Sequence, residues 1–141
     1  MGAATKVARN AGDVGTMMRY TAALAFTSEL LLLWALPGEF AARPLVGSFV
    51  LLAAVGQGIL TASLLVNPGR WMIRFGLLFN ATIVLVWAAT RVAGFPALFG
   101  FARLPVEPVG LVAAVIEIAL LVLLLKIGRR LKTQRKERLV R

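Results

Sequence analysis

Neither cysteine nor histidine occurs in the 141 residues, and acidic side chains number six: Asp13, Glu29, Glu39, Glu107, Glu117 and Glu137. Without thiols there is no disulfide to form, no thiolate nucleophile and no redox compartment to read. Without imidazole the usual zinc ligands and the commonest haem ligand are missing as well. Serine, threonine and lysine are present, but no nucleophile stands beside a base in a recognisable motif. The expectation is therefore a protein that is not an enzyme and holds no metal or organic cofactor. Charge itself is scarce, at 16% of residues, where a soluble domain carries about a quarter.

Hydrophobic residues fill the space so vacated, at 60% of the chain and a mean hydropathy of +0.85. A soluble core in so short a chain cannot enclose that much apolar surface. The apolar residues gather into runs over residues 20–36, 45–66, 71–90 and 108–127. About 20 apolar residues cross roughly 30 Å of hydrocarbon as a helix, so each run is a candidate span. Pro37-Gly38 is expected to end the first run and Asn67-Pro68-Gly69 the second. Pro44 suits the first turn of the second helix. Gly94, Pro96, Gly100 and Pro105 describe an irregular loop before the fourth. A cleaved signal peptide is the competing reading of the first run, but its apolar stretch would be shorter and no small-x-small site follows.

The fold expected is all-α: an up-down bundle of four transmembrane helices over residues 19–127, with short loops. Residues 1–18 form a loose leader and residues 128–141 a basic tail. The net charge of +10 is distributed as a topology signal rather than as a nucleic-acid footprint. Lys6, Arg9, Arg19, Arg70, Arg74, Lys126, Arg129, Arg130, Lys132, Arg135, Lys136, Arg138 and Arg141 fall on one side of the four spans. Arg43, Arg91 and Arg103 fall on the other. The excess of basic residues marks the cytoplasmic side, so both termini are expected inside, in the cytoplasmic membrane of a bacterium. The partners expected are the bilayer and its anionic lipids, touched by Arg129, Arg130, Lys132, Arg135 and Lys136, with no nucleic acid. Trp34, Trp71 and Trp87 lie near ends of runs, where an amphipathic ring anchors at the headgroups.

Each run also carries a strongly polar residue near its middle: Glu29 beside Ser28, Gln57, Asn80 and Glu117. A carboxylate in hydrocarbon is costly and faces a bundle interior or a water-filled cavity. Glu29 and Glu117 are thus expected to point inward, within reach of Gln57 and Asn80, and to hold a proton or a partner. Ser28, Thr61 and Thr82 lie at a depth to join them. Ala54, Gly58 and Ala62 form a small-residue stripe that permits close helix approach. Asn80, Val84, Trp87 and Arg91 share one face of the third helix, and Ala113 and Ala114 sit one turn before Glu117. Near the outer surface, Arg91 and Glu107 are placed to pair across the loop. The layer reads either as hydrogen-bonding glue or as a midplane site for a proton or cation.

Trp71 to Pro96, with Asn80, Trp87, Thr90-Arg91, Gly94 and Pro96, followed by Glu107-Pro108-Val109-Gly110 and Glu117, resembles a group of small uncharacterised four-helix membrane proteins from high-GC actinobacteria. The resemblance covers roughly the last two-thirds of the chain and implies fold and location, with no activity attached. Small multidrug resistance transporters also carry a membrane carboxylate in their first helix, as Glu29 is here, but the rest of their pattern has no counterpart in this chain. Two functions follow as expectations. One is a structural or accessory membrane protein that docks on a larger complex through the small-residue face of the second helix. The other is a small proton- or cation-coupled transporter or channel, as a homodimer, working through Glu29, Gln57, Asn80 and Glu117.

Overall fold

The computed structural model describes residues 2–66, 69–92 and 103–139, with side chains described within residues 13–133 of those stretches. The expected turn residues Asn67 and Pro68, the loop residues Gly94, Pro96 and Gly100, and the side chains of Lys6, Arg9, Arg135 and Lys136 lie outside that set. The described residues form four helices: α1 (Gly2–Ala42), α2 (Pro44–Val66), α3 (Arg70–Val92) and α4 (Pro108–Leu139). Among the described residues there is no strand. All four helices are long and apolar enough to cross a membrane, over Asp13–Ala42, Pro44–Val66, Arg70–Val92 and Pro108–Thr133. Hydrocarbon offers no hydrogen bonds, so backbone that faces it must be satisfied within its own segment, which a helix does.

The exterior agrees with such a solvent. Trp34, Leu52, Leu78 and Leu85 are about 70% exposed, and Trp71 more so. A water-soluble monomer rarely presents so much contiguous apolar surface. Inside, Ala22, Ala25, Leu60, Leu64, Ile73, Leu120, Leu124 and Ile127 form one buried cluster drawn from all four helices. Gly76 lets α3 settle on it, since a Cβ there would lie 2.9 Å from Leu60 Cδ1 and 3.0 Å from Leu124 Cδ1.

Three expected boundaries differ. The first helix does not stop before Pro37-Gly38 but continues to Ala42. Pro37 removes one amide donor, whereas stopping there would leave a whole turn of carbonyls to be satisfied in an apolar medium. The leader also continues α1 back to Gly2, with Val14 buried and Asp13 paired with Arg130 of α4. The fourth helix runs past Ile127 to Leu139 without a break, since no proline or glycine follows Gly128 to stop it.

The turn is then left to Arg43, between α1 and α2. Its N–H donates to the Glu39 carbonyl at 2.8 Å and its own carbonyl accepts from Gly47 N–H at 3.0 Å. α2 folds back along α1 so tightly that a Cβ on Gly47 would fall 2.8 Å from Phe40 Cα and 2.9 Å from Phe40 N. Farther along the same pair, Gly58 meets the Glu29 carboxylate. The small-residue stripe is therefore partly used within the chain: Ala54 is buried, Gly58 faces α1, and Ala62 is exposed.

Candidate functional site: a carboxylate at the floor of an interhelical cavity

Glu117 lies near the middle of the apolar part of α4 and is 1% exposed. Ser28 Oγ of α1 donates to its Oε1 at 2.6 Å. Gln57 Nε2 of α2 lies 2.7 Å from both carboxyl oxygens and 2.9 Å from Asn80 Oδ1 of α3. The amide has two protons, so one goes to Asn80 and the other is shared by the carboxyl oxygens. Asn80 Nδ2 in turn donates to the Gly76 carbonyl at 2.7 Å. Ser28, Gln57 and Asn80 are fully buried. One side chain from each helix thus meets at Glu117, directly or through Gln57.

Helix periodicity explains the convergence. Gly56 beside Gln57 lets the Phe79 ring approach so closely that any Cβ would overlap it, which brings Asn80, the next residue of α3, into reach. On α4, Ala114 is buried one turn before Glu117. Small neighbours let the polar side chains meet without helix separation.

Not all of the expected layer meets there. Glu29 is half-buried and lies against Gly58 on the α1–α2 seam, apart from the partners of Glu117. One residue along a helix turns the side chain by about 100°, so Ser28 and Glu29 cannot face the same interior point. Thr82 faces outward and donates to its own Leu78 carbonyl at 2.9 Å. Thr61 is half-buried, with its hydroxyl unpartnered, and the Gln57 Oε1 acceptor is unpartnered too.

A cavity of about 140 Å³ runs from Glu117 to the end of the bundle where α1 turns into α2. Ala53, Ile83 and Ala114 wall it near Glu117, while Trp87, Arg91 and Glu107 line its other end. Trp87 is therefore not only an anchor at the surface: the Arg91 guanidinium stacks over its ring, 5.1 Å from the centroid, and its indole faces Gly110 of α4. Arg91 and Glu107 share this end without an ion pair; Arg91 Nη1 instead donates to Thr90 Oγ1 at 2.9 Å. Leu104 N–H donates to the Thr90 carbonyl at 3.0 Å, which draws the segment before α4 onto α3 and buries Leu104. Trp87 Nε1 and Arg91 Nε remain buried donors without an acceptor.

The buried apolar cluster of Leu60, Leu120, Leu124 and their neighbours contributes none of these three side chains to the cavity lining. Among the described residues no group of three or more acidic side chains is placed to hold a metal ion. Comparisons with protein-family models, with curated proteins and with solved structures each returned no match.

Proposed function

We propose that this chain is a multi-pass protein of a bacterial cytoplasmic membrane, an up-down bundle with both termini in the cytoplasm, whose outward-opening cavity is a proton- or cation-linked binding site with Glu117 as its acceptor. One observation carries the reading: Glu117 is at once part of the cavity wall and the hub that joins α1, α2 and, through Gln57, α3 to α4. A change in its charge is felt by whatever occupies the cavity and by the packing of the whole bundle. That is the property a coupling carboxylate needs.

The donor and acceptor inventory supports a proton there. As a carboxylate Glu117 only accepts, and Gln57 Oε1 beside it already lacks a donor. A protonated carboxyl adds one donor to a set rich in acceptors and keeps an oxygen for Ser28 or Gln57. At the outer end Trp87 Nε1 and Arg91 Nε await an acceptor, while Glu39 Oε2, on the same cavity wall, awaits a donor. The occupant that fits is small and mostly apolar, with an oxygen acceptor toward Arg91 and a proton or positive charge toward Glu117. The apolar cluster below Glu117 argues against a continuous pore in this conformation and for access from one side at a time.

Proteoliposomes enclosing a pH-sensitive dye test the reading. The wild type is expected to dissipate an imposed pH gradient or to take up protons, and Glu117→Gln, which cannot release a proton, to lose that response while still folding. Wild type and variant that both leave the gradient intact would overturn the coupling role.

A structural or accessory role is the second reading, and one observation favours it. Ser28 and Gln57 already supply donors to Glu117 without any ligand. On that reading the layer fixes helix register, and the exposed end of the small-residue stripe at Ala62 is what remains for a partner or a second copy.

A further inference from the structure

At the end of the bundle away from Glu107, a second cavity of about 330 Å³ opens between α3 and α4. Its lining divides by chemistry. Arg70, Arg74 and Lys132 supply three cations, and Ile73, Leu77 and Leu131 supply an apolar floor. The spacing on each helix produces this division. Arg70, Ile73, Arg74 and Leu77 fall on one face of α3, and Gly128, Leu131 and Lys132 on one face of α4, at offsets of three and four. Gly128 sets the gap, since even a Cβ there would reach only to 3.7 Å from Ile73 Cγ2.

Among the described residues, no carboxylate lines the cavity. Asp13, the described acidic side chain at this end, is held by Arg130 outside it, and none of the three cations forms an ion pair among the described residues. Three positive charges around one space repel each other, and an anion between them turns that repulsion into attraction. Two guanidinium groups one helical turn apart offer forked donors, the geometry that suits phosphate oxygens.

We propose that this cavity is a specific site for the phosphate of an anionic phospholipid, with the headgroup held by Arg70, Arg74 and Lys132 and an acyl chain laid over Ile73, Leu77 and Leu131. The site is distinct from diffuse attraction of the basic tail to the leaflet, because it draws two of its cations from α3 and has walls. The floor decides between sources of phosphate: a soluble anion gains nothing from three apolar side chains, whereas a lipid places hydrocarbon there. Volumes of roughly 300–1,000 Å³ are usual for small-molecule sites, so the cavity has room for a headgroup. Basic pockets between transmembrane helices are an established way to select anionic lipids.

The full chain is purified in detergent and titrated, in native mass spectrometry, with phosphatidylglycerol, with phosphatidylcholine and separately with inorganic phosphate. The proposal expects retention of phosphatidylglycerol at least tenfold tighter than of phosphatidylcholine, with millimolar phosphate unable to displace it. The double substitution Arg70→Gln with Arg74→Gln is expected to weaken that retention at least tenfold. Leu131→Trp keeps every charge but fills the floor, and is expected to weaken it too. Arg19→Gln with Lys126→Gln removes the same charge at exposed positions outside the cavity and is expected to leave it within about twofold.

Equal losses in the two double substitutions, or none with Leu131→Trp, would reduce the effect to diffuse charge and overturn the site. Full displacement by inorganic phosphate would make it a soluble-anion site and overturn the lipid. Should the arginine variants fail to fold, the lipid preference of the wild type and the Leu131→Trp result still decide the matter.

Discussion

At the scale of single residues, the layer around Glu117 makes stability depend on hydrogen bonding more than on charge. Replacing Glu117 by leucine leaves Ser28 Oγ–H and one Gln57 N–H buried without an acceptor, and each orphaned group costs about 1–3 kcal/mol. Glutamine retains an acceptor at similar volume. Thermal unfolding in detergent is expected to show Glu117→Leu destabilised by roughly 2–4 kcal/mol and Glu117→Gln by less than about 1 kcal/mol. Equal effects would show that the network contributes no more than packing. Gln57, Asn80 and Glu117 could be picked out by depth because they stand near the middles of their runs, whereas in the first run depth pointed to Glu29, with Ser28 only beside it. Glu29 shares that depth but lies on the α1–α2 seam, since depth says nothing of azimuth and one residue turns the helix by about 100°. Trp87 shows the converse. Its place near a run end reads as surface anchoring, yet its seven-residue spacing from Asn80 already puts it on the face that lines the cavity.

Among the elements, the α1–α2 hairpin departs most from what its residues suggest one at a time. Pro37-Gly38 has the local chemistry of a helix end, but the medium outweighs it, because one missing donor costs less than a frayed turn in hydrocarbon. That balance is set by the surroundings and is invisible in a window of sequence. The glycines sort by the same logic. Gly38 has nothing within 4 Å of a would-be Cβ, whereas Gly47 has the Phe40 backbone within 3 Å. Backbone cannot rotate aside as a side chain can, so Gly47→Ala must part the two helices where the chain reverses at Arg43. Overpacking of this kind costs about 1–3 kcal/mol, while Gly38→Ala gains up to about 1 kcal/mol of helix propensity. Opposite shifts in the unfolding midpoint are expected for the two substitutions. A neutral Gly47→Ala would mean that the hairpin is looser than the contact implies.

For the whole molecule, four spans could be read from the lengths of the apolar runs because crossing hydrocarbon is a requirement on composition, which is local. The orientation rests on a different term, the distribution of lysine and arginine. The end that carries Arg70, Arg74, Lys126 and the residues after it is far richer in cations than the end that carries Arg43, Arg91 and Arg103, and the richer end is expected in the cytoplasm. The two cavities give that orientation a functional meaning, since it would open the Glu117 cavity outward and turn the basic cavity toward the inner leaflet. With no native cysteine, single substitutions report the sidedness directly. Arg103→Cys and Thr133→Cys both replace exposed residues, one before α4 and one near its end. In intact cells a membrane-impermeant maleimide is expected to label Arg103→Cys, and to label Thr133→Cys only after the membrane is permeabilised. Labelling of Thr133→Cys alone in intact cells would invert the protein, carry the Glu117 cavity to the cytoplasmic face, and require the proton to be drawn from inside. Labelling of both in intact cells would place the two ends of α4 on one side, and α4 would not be a span at all.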